Sequence, residues 1–146
     1  MFAVTKIETP KRRTAITNFV HKGDLPADVT FEGDIAVDTE AMGLNNKRDR
    51  LCLVQLSDGK GDVHLVQFTR GNYNAPNLIK LLTDTKRVKL FHFARFDLSI
   101  MREYLGVRIT PVYCTRTASR LARTYTDKHG YKDICKELLG VEISKQ

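Results

Sequence analysis

The chain has 146 residues, of which 42% are hydrophobic, so it can form one compact domain with a buried core. Its formal net charge of +7 permits a polyanionic partner such as a nucleic acid, and it is equally compatible with a basic, solubilising surface. No apolar run could span a bilayer, and no apolar signal core follows the first residues. We therefore expect neither a membrane protein nor a secreted one.

The three cysteines point to a reducing compartment. Cys52, Cys114 and Cys135 are odd in number, widely spaced and not arranged as CxxC. Each has apolar neighbours, which favours a role as a small buried side chain over a zinc site or a catalytic thiol. This pattern predicts a cytoplasmic location.

The first half of the chain is predicted to be a basic extension followed by strands. Residues 1–17 are polar, basic and without periodicity, so we predict a flexible extension there and a domain over 18–146. A short element is expected at 18–21. Apolar runs then predict strands at 31–38, 51–56 and 63–67. The turn residues 57–61 and the short connections favour an antiparallel meander.

The second half alternates strands and helices. We predict helices at 75–82, 93–104, 117–123 and 132–139, and strands at 88–91 and 111–114. Asn74 is the predicted cap of the first helix, with Pro76 near its first position. Gly106 and Gly140 are predicted to end the second and fourth helices. The order β-β-β-α-β-α-β-α-α predicts an α/β fold with a mixed central sheet flanked by helices.

Three acids carry the chemical argument. Asp38 and Glu40 lie two residues apart at the end of an apolar run, so in a strand both carboxylates point to the same side. Asp97 falls on an apolar helical stripe formed by Phe93, Phe96, Ile100, Met101 and Tyr104 and should face the sheet near the end of the first strand. A carboxylate among buried positions is costly unless it is paired or holds a metal.

Convergence of these acids from separate segments predicts a site for hard divalent cations, Mg²⁺ or Mn²⁺. Two such ions can clamp the attacking and leaving oxygens of a phosphodiester. Asp-x-Glu alone is a weak signal, because most such pairs cap helices or pair with lysine and arginine. The chain has no GxSxG, Walker loop, GxGxxG or HExxH motif that would suggest other chemistry.

Several segments resemble the DEDD superfamily of 3′-to-5′ exonucleases, in the branch that includes ribonuclease D. They are IAVDTEAMGL, RDRLCLVQLSDG and KLFHFARFDL. Further fragments, HKGDLP, APNLIKLL and RTYTDKHGYKDICKELLGVEISKQ, look like the bacterial oligoribonuclease group called NrnC, or nanoRNase C. The resemblance covers about residues 20–146. It implies a ribonuclease H-like fold.

The resemblance also implies roles for individual residues. Asp38 and Glu40 match the first-motif metal ligands and Asp97 matches the second-motif ligand. Leu44 matches an apolar wedge between terminal bases, with a core contact that anchors its loop as an equally good alternative. Thr39 matches a backbone contact to the 3′ end.

Residues around Asp97 and in the last third of the chain are further candidates. His92 and Phe96 flank Asp97 and are candidates to line the nucleotide site, although core packing is the more favoured role for Phe96. A set of basic residues are candidates for phosphate contact, while most of them are expected to be solvated: Arg116, Arg120, Arg123, Lys128, His129 and Lys132.

The resemblance implies a substrate, an assembly and a missing part. The substrate is short single-stranded RNA, including dinucleotides, hydrolysed from the 3′ end to nucleoside monophosphates, and the assembly is a ring-like homo-octamer. The family's third motif supplies a tyrosine and a fourth aspartate beyond the stretch that matches EISKQ, so we expect the C-terminal part of the exonuclease domain to be missing. The alternatives are a catalytically impaired nucleic-acid-binding module and a product that does not fold.

Overall fold

A computed structural model describes residues 16–144, which form six strands and four helices. The strands are β1 (Thr17–Lys22), β2 (Ile35–Ala41), β3 (Leu51–Ser57), β4 (Asp62–Gln67), β5 (Lys89–Phe91) and β6 (Val112–Cys114). The helices are α1 (Pro76–Thr83), α2 (Arg95–Leu105), α3 (Thr115–Ala122) and α4 (Tyr131–Leu139).

The strands form one mixed sheet in the order β1-β4-β3-β2-β5-β6. β2, β3 and β4 pair antiparallel, which confirms the predicted meander. β5 pairs parallel with β2, and β6 pairs parallel with β5. The α/β class and the ribonuclease H-like architecture are as predicted.

The side chains of β2 alternate between a buried face of the sheet and an exposed one. Ile35, Val37 and Thr39 are buried, whereas the alternating residues Ala36 and Asp38 are exposed. The buried face packs against α1 and α2 through Leu78, Leu82, Ile100 and Met101. We call the opposite side, which carries Ala36, Asp38 and Glu40, the open face.

The structure has one strand more than the five predicted, at the position where the sequence predicts only a short element at 18–21. It is β1, which lies parallel to β4 with Thr17 beside Asp62 and Lys22 beside Gln67. Two side-chain contacts accompany this pairing. The Phe19 ring stacks on His64, and His21 Nε2 lies 2.9 Å from His64 Nδ1. Most of the predicted extension, up to residue 15, lies outside the described residues.

The predicted cap of α1 is wrong. The helix begins at Pro76 without a side-chain cap from its own segment. Instead Asp24, more than fifty residues upstream, accepts the backbone N–H groups of Asn77 and Leu78, each at 2.9 Å. A distant carboxylate therefore satisfies the helix terminus, which local sequence patterns do not reveal.

The predicted start of α2 is also wrong. Phe93 is not part of the helical stripe, because the helix begins at Arg95 and Phe93 has a φ of 65° with its side chain 52% exposed. The remaining stripe is retained, with Asp97, Ile100 and Met101 buried. Gly106 ends the helix in the left-handed conformation, as predicted.

Lys89 hydrogen-bonds the chain segments that precede β5 and β6, at the edge of the sheet where these strands begin. It is fully buried in β5, and its Nζ donates to the carbonyls of Asp84, Arg87 and Thr110 at 2.6, 2.7 and 2.9 Å. Burial lowers the pKa of its ammonium group.

Among residues 16–144, no helix has the length and apolar character needed to cross a membrane.

Replacement of Asp24 by alanine should destabilise the fold although Asp24 lies outside α1. Two N–H groups would lose a charged acceptor, so we expect a loss of about 1–2 kcal/mol in the free energy of unfolding. Urea unfolding of Asp24→Ala measures it, with Asn74→Ala as the matched control. Equal loss in both variants would contradict the assignment of the cap.

Candidate active site

Three parallel strands end at one edge of the sheet. β2, β5 and β6 run in the same direction, so the residues that follow them meet at that edge. α3 begins immediately after β6 at Thr115, and α2 begins at Arg95, a few residues after β5. Such carboxyl edges are where α/β sheets commonly bind ligands. We call this region the carboxyl edge.

Asp38 and Glu40 both lie on the open face of β2, where they are exposed. The intervening Thr39 is 8% exposed and points to the buried face. The predicted common orientation of the two carboxylates agrees with this alternation. A register shift between Glu40 and Ala41 interrupts the pairing with β3 directly after the acids.

Asp97 reaches β2 from the buried side. Its side chain is 6% exposed, and its Oδ1 accepts a hydrogen bond from Thr39 Oγ1 at 2.6 Å. Burial raises the pKa of the Asp97 carboxyl, the Thr39 hydroxyl opposes that rise, and the negative charge of Asp38 adds to it. Asp97 therefore faces the sheet near the end of β2, as the sequence predicts.

The described residues do not form a ready metal cage. Within 16–144 there is no group of three or more histidine, cysteine, aspartate and glutamate side chains with the geometry to hold a metal ion. Asp97 approaches β2 through Thr39, on the face opposite to Asp38 and Glu40. Within the same range, none of the three acids forms an ion pair with a basic side chain.

A cleft of about 530 Å³ lies over the open face beside Asp38. Paired residues on neighbouring strands share a face, and Gln55 lies opposite Asp38 while Ser57 lies opposite Ala36. The sequence did not single out two of the lining residues, Gln55 and Tyr131, because polar strand residues and a tyrosine at a helix start carry no local signal. Both become neighbours of Asp38 only through the tertiary fold.

His92 lies in this cleft with its ring held from two sides. Its Nδ1 is 2.9 Å from Thr115 Oγ1, and the Tyr131 ring meets it edge-on at 5.6 Å. Thr115 donates its hydroxyl proton to the Phe91 carbonyl at 3.1 Å. Nδ1 is therefore the donor to Thr115, which leaves Nε2 of the neutral ring as an acceptor. Burial lowers the pKa of His92, and the Arg116 charge lowers it further.

Leu44 lies in the loop between β2 and β3. Its side chain is 87% exposed, so the alternative role of a core contact is wrong. Asp49 holds the loop, because its carboxylate accepts the Asn45 N–H at 3.0 Å and Arg48 Nε at 2.7 Å. These bonds lower the pKa of Asp49 to about 2. Gly43 packs directly against that carboxylate.

The other predicted contact residues divide into two groups. Phe96 is half-buried and packs against the core, which agrees with its favoured structural role. His129 is a structural contact as well, since its Nδ1 lies 2.9 Å from Ser119 Oγ. Lys132 is exposed on α4. Arg116 lies in the first turn of α3, with its guanidinium carbon 4.6 Å from the centre of the Phe93 ring.

Arg123 departs from the predicted solvated basic face. It is 5% exposed and donates to Ser119 Oγ at 2.8 Å and to the Lys128 carbonyl at 2.7 Å. It also forms an ion pair with Glu137. Arg123 therefore joins α3, the following loop and α4, and its charge is already neutralised within the protein.

Thr39→Val should test the central hydrogen bond. Valine keeps the shape of the side chain but leaves a buried carboxylate oxygen of Asp97 without its donor, which should cost about 1–3 kcal/mol of unfolding free energy. Urea unfolding at neutral pH measures it, and Thr69→Val, at an exposed position, is the control. No difference between the variants would argue against the bond.

Gly43→Ala should disturb the Leu44 loop without unfolding the protein. A Cβ at this position would overlap Asp49 Oδ2 and force the carboxylate away from Asn45 and Arg48. We expect faster amide hydrogen exchange across residues 43–49 and unchanged exchange in β3. Unchanged exchange in the loop would show that Asp49 does not hold it.

Comparisons with known proteins address the family. The model of a 3′-5′ exonuclease family matches residues 7–146. Ribonuclease D of Gluconacetobacter diazotrophicus is 32% identical over 111 residues, which is 76% of this chain and 28% of that protein. Ribonuclease D of Trypanosoma brucei, solved in complex with RNA U12, is 25% identical, with a TM-score of 0.60 over 75% of this chain and 41% of that one.

The similarity to Brucella melitensis NrnC is higher. Its structure bound to pGG is 50% identical, with a TM-score of 0.85 over 90% of this chain and 65% of that chain. A structure of the same protein with bound Mg²⁺ is 49% identical, with a TM-score of 0.84 over 90% of this chain and 66% of that chain. The chain thus spans about two thirds of NrnC and under a third of the curated ribonuclease D. It belongs to the 3′-5′ exonuclease family, in the ribonuclease D-like DEDD group that includes NrnC.

Proposed function

We propose that this chain forms part of a divalent-metal-dependent 3′-to-5′ exoribonuclease. Its substrate is short single-stranded RNA, including dinucleotides, which it hydrolyses to nucleoside monophosphates. The observation that carries the proposal is the hydrogen bond that places Asp97 against β2 at Thr39, the residue between Asp38 and Glu40, at the carboxyl edge. The relatives solved with pGG, with RNA U12 and with Mg²⁺ support the ligand classes.

The three carboxylates of the candidate active site are the type of ligand that hard divalent cations prefer. Asp38, Glu40 and Asp97 offer oxygen ligands only, and among residues 16–144 none of them is neutralised by a lysine or arginine. Burial raises the pKa of the Asp97 carboxyl, and the negative charge of Asp38 raises it further. These three acids would hold Mg²⁺ or Mn²⁺, and two bound ions would supply an activated water and stabilise the leaving 3′ oxygen.

The chain's own residues contribute positioning. The Thr39 hydroxyl fixes Oδ1 of Asp97 and leaves Oδ2 without a hydrogen bond from it. His92, held by Thr115 and Tyr131, presents a neutral ring to the cleft beside Asp38. Leu44 is exposed on a loop that hydrogen bonds to Asp49 hold, which suits an apolar wedge between bases. The cleft between these groups has room for a nucleotide unit.

A second function deserves a test because one observation favours it. The described residues do not group three metal ligands, as expected for a catalytically impaired module that binds nucleic acid. Such a module would show salt-dependent RNA binding without divalent-dependent products. A homo-octameric ring and a cytoplasmic location are further predictions of the family resemblance, and sedimentation of the purified protein measures the first.

Asp38→Asn and Asp97→Asn should each abolish hydrolysis of a short RNA. Each change removes a negative charge that a divalent cation requires, and we expect a loss of at least about 100-fold in rate. Product formation from a 5′-labelled triribonucleotide in Mg²⁺ measures it. Asp62→Asn on β4 is the matched control, since it alters an acid outside the carboxyl edge.

Two outcomes would overturn parts of this proposal. Full activity of Asp97→Asn would remove the assignment of the metal site. RNA binding by the wild-type protein without any product, in Mg²⁺ and in Mn²⁺, would favour the binding module instead.

A further inference from the structure

Phe93 occupies a backbone conformation that does not suit a phenylalanine. It lies between β5 and α2 with a φ of 65°, the one non-glycine residue with positive φ in the described part of the chain. For a bulky side chain this region costs energy that glycine or asparagine would largely avoid. Core packing does not account for the ring, because 52% of the residue is exposed.

Arg116 is the charged neighbour of this ring. Its guanidinium carbon lies 4.6 Å from the ring centre, within the range of a cation–π contact. In the part of the chain that the structure describes, Arg116 forms no ion pair and no hydrogen bond, and its Nε is buried without a partner. The guanidinium thus keeps donors that an anion could accept.

The pair is next in sequence to two residues of the cleft. Phe93 directly follows His92, which lines the cleft with Asp38, and it precedes Asp97 by four residues. Arg116 directly follows Thr115, the residue that holds the His92 ring. An exposed aromatic ring and a cation that forms no ion pair within residues 16–144 are therefore each adjacent in sequence to a residue that lines the cleft with Asp38.

We propose that Phe93 and Arg116 form a nucleotide subsite, in which a base of the substrate stacks on the Phe93 ring and a phosphate binds the Arg116 guanidinium. This inference rests on the proposed function and adds to it a stacking residue that the sequence pattern had assigned to the helix core. The expected ligand is one nucleotide unit of single-stranded RNA, of any base, because every base offers a π-face.

Physical chemistry gives the two residues complementary tasks. The cation–π contact holds the ring and guanidinium in one geometry before the substrate arrives, which reduces the entropy lost on binding. The planar guanidinium can bind two phosphate oxygens at once, whereas a lysine would offer a single point charge. The backbone strain at Phe93 is then a cost of stability that serves binding.

Phe93→Gly separates these contributions. Glycine relieves the positive φ, so the melting temperature should stay the same or rise, whereas loss of the stacking ring should weaken RNA binding about tenfold. Calorimetric titration with triadenylate in Ca²⁺ measures affinity, with chromatography to confirm that the RNA is intact. Phe93→Tyr keeps an aromatic ring and should bind RNA with wild-type affinity. Wild-type affinity in Phe93→Gly would overturn the stacking role.

Abasic RNA tests the same contact without changing the protein. Triribonucleotides that lack the base at one position each are titrated against the wild type and Phe93→Gly. One position should lose about tenfold in affinity for the wild type and almost nothing for the variant. Equal losses in both proteins at every position would overturn the proposal.

The salt dependence of binding tests the phosphate contact. Arg116→Met should reduce the slope of log affinity against log salt by about 0.7, the value for one phosphate of a single strand. Arg108→Met is the control, because Arg108 is exposed in the connection between α2 and β6, at the opposite edge of the sheet. An unchanged slope in Arg116→Met would overturn the role of the guanidinium.

These measurements also separate the subsite from the proposed function. If the wild-type protein binds RNA but makes no product, and Phe93→Gly weakens that binding, the subsite remains valid as part of a binding module. Normal turnover by the wild type together with normal binding by Phe93→Gly would overturn the subsite alone.

Discussion

The hydrogen bond from Thr39 Oγ1 to Asp97 Oδ1 determines how the two acidic motifs meet. It joins residues 58 apart in sequence, and it is buried, so neither group can exchange its partner for water. A buried carboxylate without that donor would be expensive, which makes the placement of α2 against β2 specific. The same bond fixes one oxygen of Asp97 against β2 at the residue between Asp38 and Glu40. Folding energy and site geometry therefore depend on one contact.

The parallel pairing of β2, β5 and β6 supplies the frame for that contact. Parallel strands bring three chain ends to one edge, and α2 and α3 start there. At the other edge, Lys89 satisfies three loop carbonyls from within the core and so closes the connections that lead into β5 and β6. The two edges therefore differ. At one edge Lys89 is satisfied by internal hydrogen bonds, and at the other Asp38, Glu40 and Asp97 form no ion pair within residues 16–144.

The distribution of charge explains more than the net charge of +7 does. Arg123 and Arg48 form ion pairs with Glu137 and Asp49, so they support α3, α4 and the Leu44 loop. Arg116 is different, because its cation faces an aromatic ring and no acid. Within 16–144, Asp38, Glu40 and Asp97 form no ion pair with a basic side chain. Charge that is paired within the protein and charge that is not are thus found in different parts of the described residues.

Periodicity and spacing were sufficient for the meander, for the stripe of α2 behind Asp97 and for the shared side of Asp38 and Glu40, because these features depend on residues close in sequence. The resemblance to the exonuclease family added the fold and the identity of the acids. Tertiary structure alone decided the cap of α1 by Asp24, the place of Tyr131 and Gln55 in the cleft, and the burial of Arg123, since each depends on a partner from a distant segment. Phe93 shows the limit most clearly: its apolar character predicts a helix core position, but the tight connection from β5 to α2 turns it out of the core and beneath Arg116.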